Sequence, residues 1–238
     1  AASDVYKRQQ GIRPAADGKS YTTLRGNAIE RHSYTKDAPG ELLFEWKNDK
    51  ENRDIADYQF SPDGKLLLLS IGSEPIYRHS YTTDYYLKDA DGLRPILTAL
   101  PGTRDASFSP DGRTIAFSSG NNLYLYDIVG DSVRPITTDG VWNRIINGTT
   151  DWVYEEEFGF NRAFDFSADS QMLAYIRFDE SQVPMYSFPL YKGMVPALEK
   201  FSTYPGEYEY KYPMPGINNS KVTVHTFDIK SKVTRKMN

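Results

Sequence analysis

The chain has 238 residues, no cysteine and a net charge of −4, from 28 basic and 32 acidic residues. The lack of cysteine excludes disulfides, thiolate metal sites and a thiol nucleophile, and a mildly acidic chain without a basic cluster argues against nucleic acid as a partner. The longest apolar run, residues 66–69, is far shorter than the roughly 18 residues that a membrane-spanning helix needs, and no targeting segment is visible.

The two ends of the chain predict a piece of a longer protein. The first residue is Ala, and the last, Asn238, follows a strand-like run almost directly. Residues 1–10 match no pattern found later, so we interpret them as a non-native leader outside the fold. Residues 11–238 are then assigned to one domain, whose nature follows from an internal repeat.

A pattern of fourteen residues occurs three times, at residues 57–70, 105–118 and 163–176. Each copy reads as a strand, a tight turn and a second strand, and the turn serines are spaced by 48 and 58 residues. Pro62 and Gly64 suit the turn of the first copy, because proline presets φ and glycine tolerates positive φ. The third copy has lost both the proline and the glycine but keeps its flanking apolar residues.

A strand-rich unit that recurs every ~40–50 residues is typical of β-propeller blades. Residues 123–128 supply a third strand after the second hairpin, and residues 35–46 and 222–229 read as outer strands. No helix longer than about three turns is indicated. The sequence therefore predicts an all-β fold, a partial β-propeller of about four to five four-stranded blades. By itself this repeat specifies a fold and no function.

The first candidate for chemistry is the block Asp-Trp-Val-Tyr-Glu-Glu-Glu-Phe at residues 151–158. Three consecutive carboxylates are usually a solvated acidic patch. These carboxylates, however, lie among aromatic residues, in the interval where the repeat spacing lengthens to 58 residues. The longer spacing indicates an insertion, and insertions on propellers commonly carry binding functions. Neighbouring side chains of a strand point to opposite faces, so a shared ligand requires a short helix here.

The second candidate is Arg78, in the segment Tyr-Arg-His-Ser-Tyr-Thr at residues 77–82. A near copy that contains Arg31 lies 47 residues earlier. Both segments are interpreted either as equivalent blade strands with solvated side chains or, for Arg78, as a forked donor for a carbonyl or carboxylate group.

The acidic block, the Arg-His-Ser-Tyr-Thr segment and Phe-Asp-Glu-Ser-Gln-Val-Pro at residues 178–184 together resemble the N-terminal propeller of the dipeptidyl peptidase IV family. The resemblance implies that Glu156 and Glu157 bind the free α-ammonium of a peptide and that Arg78, not Arg31, contacts a peptide carbonyl. It implies a serine exopeptidase that releases X-Pro and X-Ala dipeptides, with its catalytic triad on a C-terminal α/β-hydrolase domain that this chain lacks. It also implies a periplasmic or extracellular location, no cofactor, and a homodimer as one arrangement of the parent protein.

The chain carries no Gly-x-Ser-x-Gly motif, and its three histidines, His32, His79 and His225, are interpreted as structural or surface residues. We therefore expect no peptide hydrolysis by this chain alone. Three hypotheses stay open: a propeller fragment of a dipeptidyl peptidase, a non-catalytic propeller that binds protein partners, and a sister peptidase that cuts longer N-terminal pieces or internal bonds.

Overall fold

The computed structural model describes residues 12–36, 38–47, 51–191 and 203–237; the expected leader at residues 1–10 lies outside them. These residues form antiparallel sheets and one short helix. The first two sheets consist of β1 (Arg13–Pro14), β2 (Ser20–Arg25), β3 (Ala28–Ser33) and β4 (Glu41–Glu45), and of β5 (Ile55–Phe60), β6 (Leu67–Pro75), β7 (Tyr81–Lys88) and β8 (Leu93–Ile96).

The third sheet consists of β9 (Arg104–Phe108), β10 (Thr114–Ser119), β11 (Asn122–Asp127) and β12 (Ser132–Pro135). The remaining elements are β13 (Ile145–Asn147), α1 (Trp152–Phe158), β14 (Phe164–Phe166), β15 (Met172–Asp179), β16 (Met185–Leu190), β17 (Gly206–Lys211), β18 (Lys221–Asp228) and β19 (Val233–Lys236). Strands β13, β14, β15, β18 and β19 form the fourth sheet, and β16 pairs with β17. The prediction of an all-β fold built of propeller blades is confirmed; three of the sheets have four strands as expected, whereas the fourth has five.

The three repeated hairpins form as predicted, as the pairs β5–β6, β9–β10 and β14–β15. Gly64 and Gly112 adopt φ values of 72° and 70°, and Ser170 adopts 59° at the equivalent position of the third copy. A non-glycine residue at positive φ is strained, so other contacts must hold the third turn together.

A serine and an aspartate two residues apart hold each of these turns. The serine hydroxyl donates to the aspartate carboxylate at 2.6–2.7 Å and accepts from the amide five residues further along at 2.9–3.0 Å. The serine–aspartate pairs are Ser61 and Asp63, Ser109 and Asp111, and Ser167 and Asp169. These hydrogen bonds mimic a backbone turn, and they explain why the third copy keeps its shape without proline or glycine.

Two interpretations of the sequence need correction: the extent of one outer strand, and the equivalence of the segments that contain Arg31 and Arg78. The strand expected at residues 35–46 is confined to β4, Glu41–Glu45, and position 37 lies outside the described residues. Arg31 lies within β3, whereas Arg78 lies in the loop between β6 and β7. The two near copies are therefore not equivalent blade strands, and the interpretation that they are is wrong.

The chain forms two compact units, one of residues up to Gly72 with Asp84–Ile96, and one of Ser73–Thr83 with residues from Leu97 onward. The first unit has a core that includes Ile29, Tyr58 and Leu69, all at most 2% exposed. The second unit is built around Leu123, Leu173 and further buried residues. Both cores form because the side chains at alternate positions of a strand point to the same face of its sheet.

The fourth sheet carries two insertions. Strands β13 and β14 pair with successive parts of the same edge of β15, opposite Arg177–Asp179 and Leu173–Tyr175 respectively, and α1 lies between them in the chain. The β16–β17 hairpin lies between β15 and β18. The described part of the chain contains no helix of the length and apolarity needed to cross a membrane.

Candidate functional site

Helix α1 contains the acidic block and is capped at both ends. The carboxylate of Asp151 accepts a hydrogen bond from the amide of Tyr154 at 3.0 Å, which is an N-cap. Gly159 ends the helix with φ at 72°, the left-handed conformation that favours glycine. The short helix that a shared ligand requires is therefore present.

The first glutamate of the block, Glu155, is fully buried. Its Oε1 accepts hydrogen bonds from the backbone amides of His79 at 2.7 Å and Ser80 at 2.8 Å. Within the described residues its Oε2 is buried without a hydrogen-bond partner. Charge-assisted bonds of this kind are stronger than neutral ones, so Glu155 ties the loop that carries Arg78 to the helix. In the sequence, nothing distinguishes Glu155 from the two glutamates that follow it.

The second glutamate, Glu156, faces Arg78. Its Oε2 lies 3.2 Å from the Arg78 Nε; the Glu156 side chain is 11% exposed and the Arg78 side chain 73% exposed. The structure thus brings together two of the three residues singled out in the sequence. Glu157, the third, is exposed at the next helical position, about 100° further around the helix axis.

The last turn of α1 concentrates negative charge. It contains no basic residue, and the carbonyl end of a helix carries a partial negative charge that adds to the carboxylates of Glu156 and Glu157. A cationic group that binds beside Arg78 would meet the Glu156 carboxylate, with the exposed Glu157 at the next position along the helix. The arrangement therefore suits a ligand that has an ammonium group next to a hydrogen-bond acceptor for the Arg78 guanidinium.

Aromatic side chains from the β16–β17 hairpin and the segment after it pack beside α1. The ring centroids of Trp152 and Tyr212 are 4.4 Å apart, those of Trp152 and Tyr210 are 6.2 Å apart, and those of Tyr77 and Tyr210 are 6.0 Å apart. Burial raises the pKa of the Tyr77 hydroxyl, and the nearby Glu180 carboxylate adds to this effect. These rings therefore pack an apolar surface against the Arg78 loop and the start of α1.

A second buried acid lies near the N-cap of α1. Glu180 is 5% exposed, and burial raises the pKa of its carboxyl to about 7, with a further contribution from the Asp151 carboxylate. Lys211 opposes this shift while its Nζ donates to the carbonyl of Val183 at 2.6 Å. Burial also raises the pKa of Asp151 itself, which accepts a hydrogen bond from the Ser220 hydroxyl.

Two of the three histidines lie in strands and contact a tyrosine of the neighbouring strand. His32 stacks on Tyr21 and His225 on Tyr175, with ring centroids 5.2 Å and 5.3 Å apart, and burial lowers the pKa of His225. Over the described ranges, no group of three or more His, Asp or Glu side chains is arranged to hold a metal ion.

Comparison with known proteins identifies the family. The sequence model of the family described as "Dipeptidyl peptidase IV (DPP IV) N-terminal region" matches residues 61–238. The chain belongs to the dipeptidyl peptidase IV family. The resemblance stated from the acidic block and the Arg-His-Ser-Tyr-Thr segment is therefore confirmed.

Individual relatives in the dipeptidyl peptidase IV family agree with this assignment. The chain is 37% identical to dipeptidyl peptidase 4 of Trichophyton equinum over 190 residues, which cover 77% of the chain and 23% of that protein. It is 35% identical to dipeptidyl peptidase 4 of Arthroderma otae over a similar stretch, 77% of the chain and 23% of that protein. The crystal structure of Porphyromonas gingivalis dipeptidyl peptidase 4 superposes with a TM-score of 0.86 at 35% identity, over 100% of this chain and 34% of that one.

The chain thus spans about a quarter of the length of these curated relatives. Their name supports a peptidase as the parent protein of this dipeptidyl peptidase IV family chain. The assignment of Glu156, Glu157 and Arg78 to a peptide-binding site stays a prediction, to which the structure adds the geometry described above.

Proposed function

We propose that this chain is part of the substrate-recognition propeller of a dipeptidyl peptidase that releases N-terminal X-Pro and X-Ala dipeptides. The cleavage itself is assigned to a Ser-His-Asp triad on an α/β-hydrolase domain elsewhere in the parent protein. The observation that carries the proposal is the pairing of Glu156 with an exposed Arg78 at the end of a capped acidic helix, in a chain of the dipeptidyl peptidase IV family.

The peptide's amino terminus is recognised by charge. An ammonium group has three N–H donors, and the carboxylates of Glu156 and Glu157 accept two of them in charge-assisted hydrogen bonds. Arg78, whose side chain is 73% exposed, donates to a carbonyl oxygen of the first two residues. Because Glu155 fixes the backbone on the C-terminal side of Arg78, the guanidinium is presented to the peptide in a restricted set of positions.

Such a site converts a peptidase into an exopeptidase. In a peptide with further residues before the bound position, the nitrogen there belongs to a peptide bond. It is then a neutral amide, where the two carboxylates need a cation. Leaving a buried or half-buried carboxylate without its partner costs several kcal/mol, so internal peptide segments are rejected. Specificity then comes from the penalty on the wrong ligand as much as from attraction of the right one.

The test uses the full-length protein that contains this chain. We expect Glu156→Gln to lower kcat/KM for an X-Pro substrate with a free amino terminus. The corresponding activation free energy should rise by about 2–5 kcal/mol, the cost of losing one partner of a desolvated charge pair. Nα-acetylation of the substrate should reduce the rate of the wild-type enzyme to a similar extent. Glu207→Gln, which neutralises an exposed carboxylate on β17, is the matched control and should leave kcat/KM unchanged.

Two results would overturn the proposal. A wild-type rate on the acetylated peptide within tenfold of the rate on the free peptide would show that the ammonium is not recognised. A full-length protein that binds peptide amino termini through Glu156 but cleaves no peptide would instead identify a non-catalytic binding propeller. A periplasmic or extracellular location and a homodimer are further parts of the proposal for the parent protein, tested by cell fractionation and by its mass in solution.

A further inference from the structure

The Glu156 carboxylate already has a cationic partner that belongs to the protein itself. Its Oε2 lies 3.2 Å from the Arg78 Nε, and the Glu156 side chain is only 11% exposed. The next glutamate, Glu157, is exposed and forms no ion pair with any described residue. The two carboxylates assigned to the peptide ammonium therefore differ, because only Glu156 has to give up a partner when an ammonium group arrives.

The contact between Arg78 and Glu156 is loose. The Arg78 Nε approaches one carboxylate oxygen, and the described residues give this guanidinium no hydrogen bond and no second ion pair. Arg177 shows the tighter alternative, since its Nε and Nη2 both donate to Asp139 Oδ2, at 3.2 Å and 3.0 Å. Ion pairs that involve an exposed side chain contribute little to stability. A cation of a ligand can therefore displace the Arg78 guanidinium from Glu156.

Displacement of Arg78 requires movement of its side chain only. Before Arg78 in the chain, the amides of Ile76 and Tyr77 donate to the carbonyl of Ser80 at 2.8 Å and to its hydroxyl at 3.3 Å. After Arg78, the Ser80 amide donates to the buried Glu155 carboxylate at 2.8 Å. The backbone is thus held on both sides, whereas the Arg78 side chain is 73% exposed, and exposed side chains change rotamer within picoseconds to nanoseconds.

We propose that Arg78 occupies the Glu156 carboxylate when no peptide is bound, and that this ion pair makes the site selective for ligands with a carbonyl oxygen next to their ammonium group. The proposal rests on the proposed function, in which Glu156 binds the ammonium and Arg78 the carbonyl. An ammonium alone breaks the ion pair and offers the released guanidinium nothing in return. The amino terminus of a peptide supplies the carbonyl oxygen as well, so the site discriminates against simple amines and against the side-chain ammonium of lysine.

The experiment uses two competitive inhibitors of the full-length protein that differ in one group. Valinamide carries an ammonium and a carboxamide on the same carbon, and isobutylamine is the same molecule without the carboxamide. Their inhibition constants against a chromogenic X-Pro substrate are measured at constant ionic strength, because salt screens charge-dependent binding. We expect the wild-type protein to bind valinamide about tenfold or more tightly than isobutylamine, since a charge-assisted hydrogen bond from Arg78 adds to the ammonium contact.

Arg78→Met reveals the competition for Glu156. In this variant the carboxylate has no internal partner to give up, so isobutylamine should bind about three- to fivefold more tightly than it binds the wild type, the range expected for a partly exposed ion pair. Valinamide loses its guanidinium donor and should bind more weakly. Changes of opposite sign identify the exchange, because a merely structural role of Arg78 would weaken the binding of both inhibitors.

Arg78→Lys tests whether charge or space causes the effect. It keeps a cation beside Glu156, so isobutylamine should bind it about as weakly as it binds the wild type. Arg235→Met is the matched control, since it removes an exposed arginine on β19, and it should leave both inhibition constants unchanged. Isothermal titration calorimetry gives the same two affinities for any variant that turns over too little substrate for inhibition to be measured.

The proposal is overturned if isobutylamine binds Arg78→Met no more tightly than the wild type, or if Arg78→Lys gives the same gain as Arg78→Met. Failure of the proposed function looks different, because substrate cleavage would then be insensitive to Glu156→Gln and to acetylation of the substrate. If cleavage depends on Glu156 and on a free amino terminus while isobutylamine binds all Arg78 variants alike, only the inference about Arg78 has failed.

Discussion

Among single residues, Glu155 joins the helix to the Arg78 loop through two amide hydrogen bonds. Glu155→Ala leaves the buried amide of Ser80 and the amide of His79 without their acceptor, so we expect the unfolding free energy to fall by about 2–4 kcal/mol. Glu155→Gln keeps an acceptor oxygen and should lose less. Urea unfolding of each variant measures the difference.

The matched control is Glu157→Ala, on the same helix but exposed. It should change the unfolding free energy by less than about 0.5 kcal/mol. Equal losses for the two alanine variants would show that Glu155 does not secure the loop. A selective rise in the hydrogen-exchange rate of the Ser80 amide in Glu155→Ala would tie the loss to this contact.

The candidate site shows what residue patterns reveal and what they omit. Three adjacent glutamates point to a charge-dependent function, but the pattern does not say which of them is buried. The roles separate because the helix turns about 100° per residue, so Glu155 faces the protein, Glu156 faces Arg78, and Glu157 faces solvent.

At the scale of the elements, α1 depends on its N-cap. Asp151→Ala removes the acceptor for the Tyr154 amide, and we expect a loss of about 1–2 kcal/mol in unfolding free energy. Asp151→Asn keeps a capping oxygen and should cost less than about 0.5 kcal/mol. Ser220→Ala removes only the hydroxyl that donates to Asp151. It therefore measures the contribution of this hydrogen bond apart from that of the N-cap. The prediction fails if the alanine and asparagine variants unfold at the same urea concentration.

The hairpins were predictable because their information is local. A Ser-x-Asp turn between two apolar runs defines strand, turn and strand within fourteen residues, and its side-chain hydrogen bonds do not depend on the rest of the chain. Strand β4 was less predictable, because outer strands have weaker apolar alternation: its five residues are all exposed or half-buried. No local pattern predicts the β16–β17 hairpin. Its tyrosines contact α1 and the Arg78 loop, which are distant in the sequence.

For the whole molecule, buried acids set a pH dependence of stability that is opposite to the usual one for paired carboxylates. The pKa of Glu180 is about 7 in the folded chain against an ordinary value of 4.5, and burial raises the pKa of Asp105 and Asp151 as well. At pH values between 4.5 and about 7, the folded state therefore binds more protons than the unfolded state. Carboxyls whose pKa is lowered, such as that of Asp179, change stability only in more acidic solution.

We therefore expect the unfolding free energy to fall as pH rises from about 5 to about 8, by about 2–3 kcal/mol from Glu180 alone. Glu180→Gln cannot ionise, so it should flatten this slope and be more stable than the wild-type chain at pH 8 while differing little at pH 5. Urea unfolding at a series of pH values measures both slopes, with Glu207→Gln as the exposed control. A wild-type stability that rises between pH 5 and pH 8 would contradict the argument, because a buried acid with a raised pKa must favour the folded state most when it is protonated.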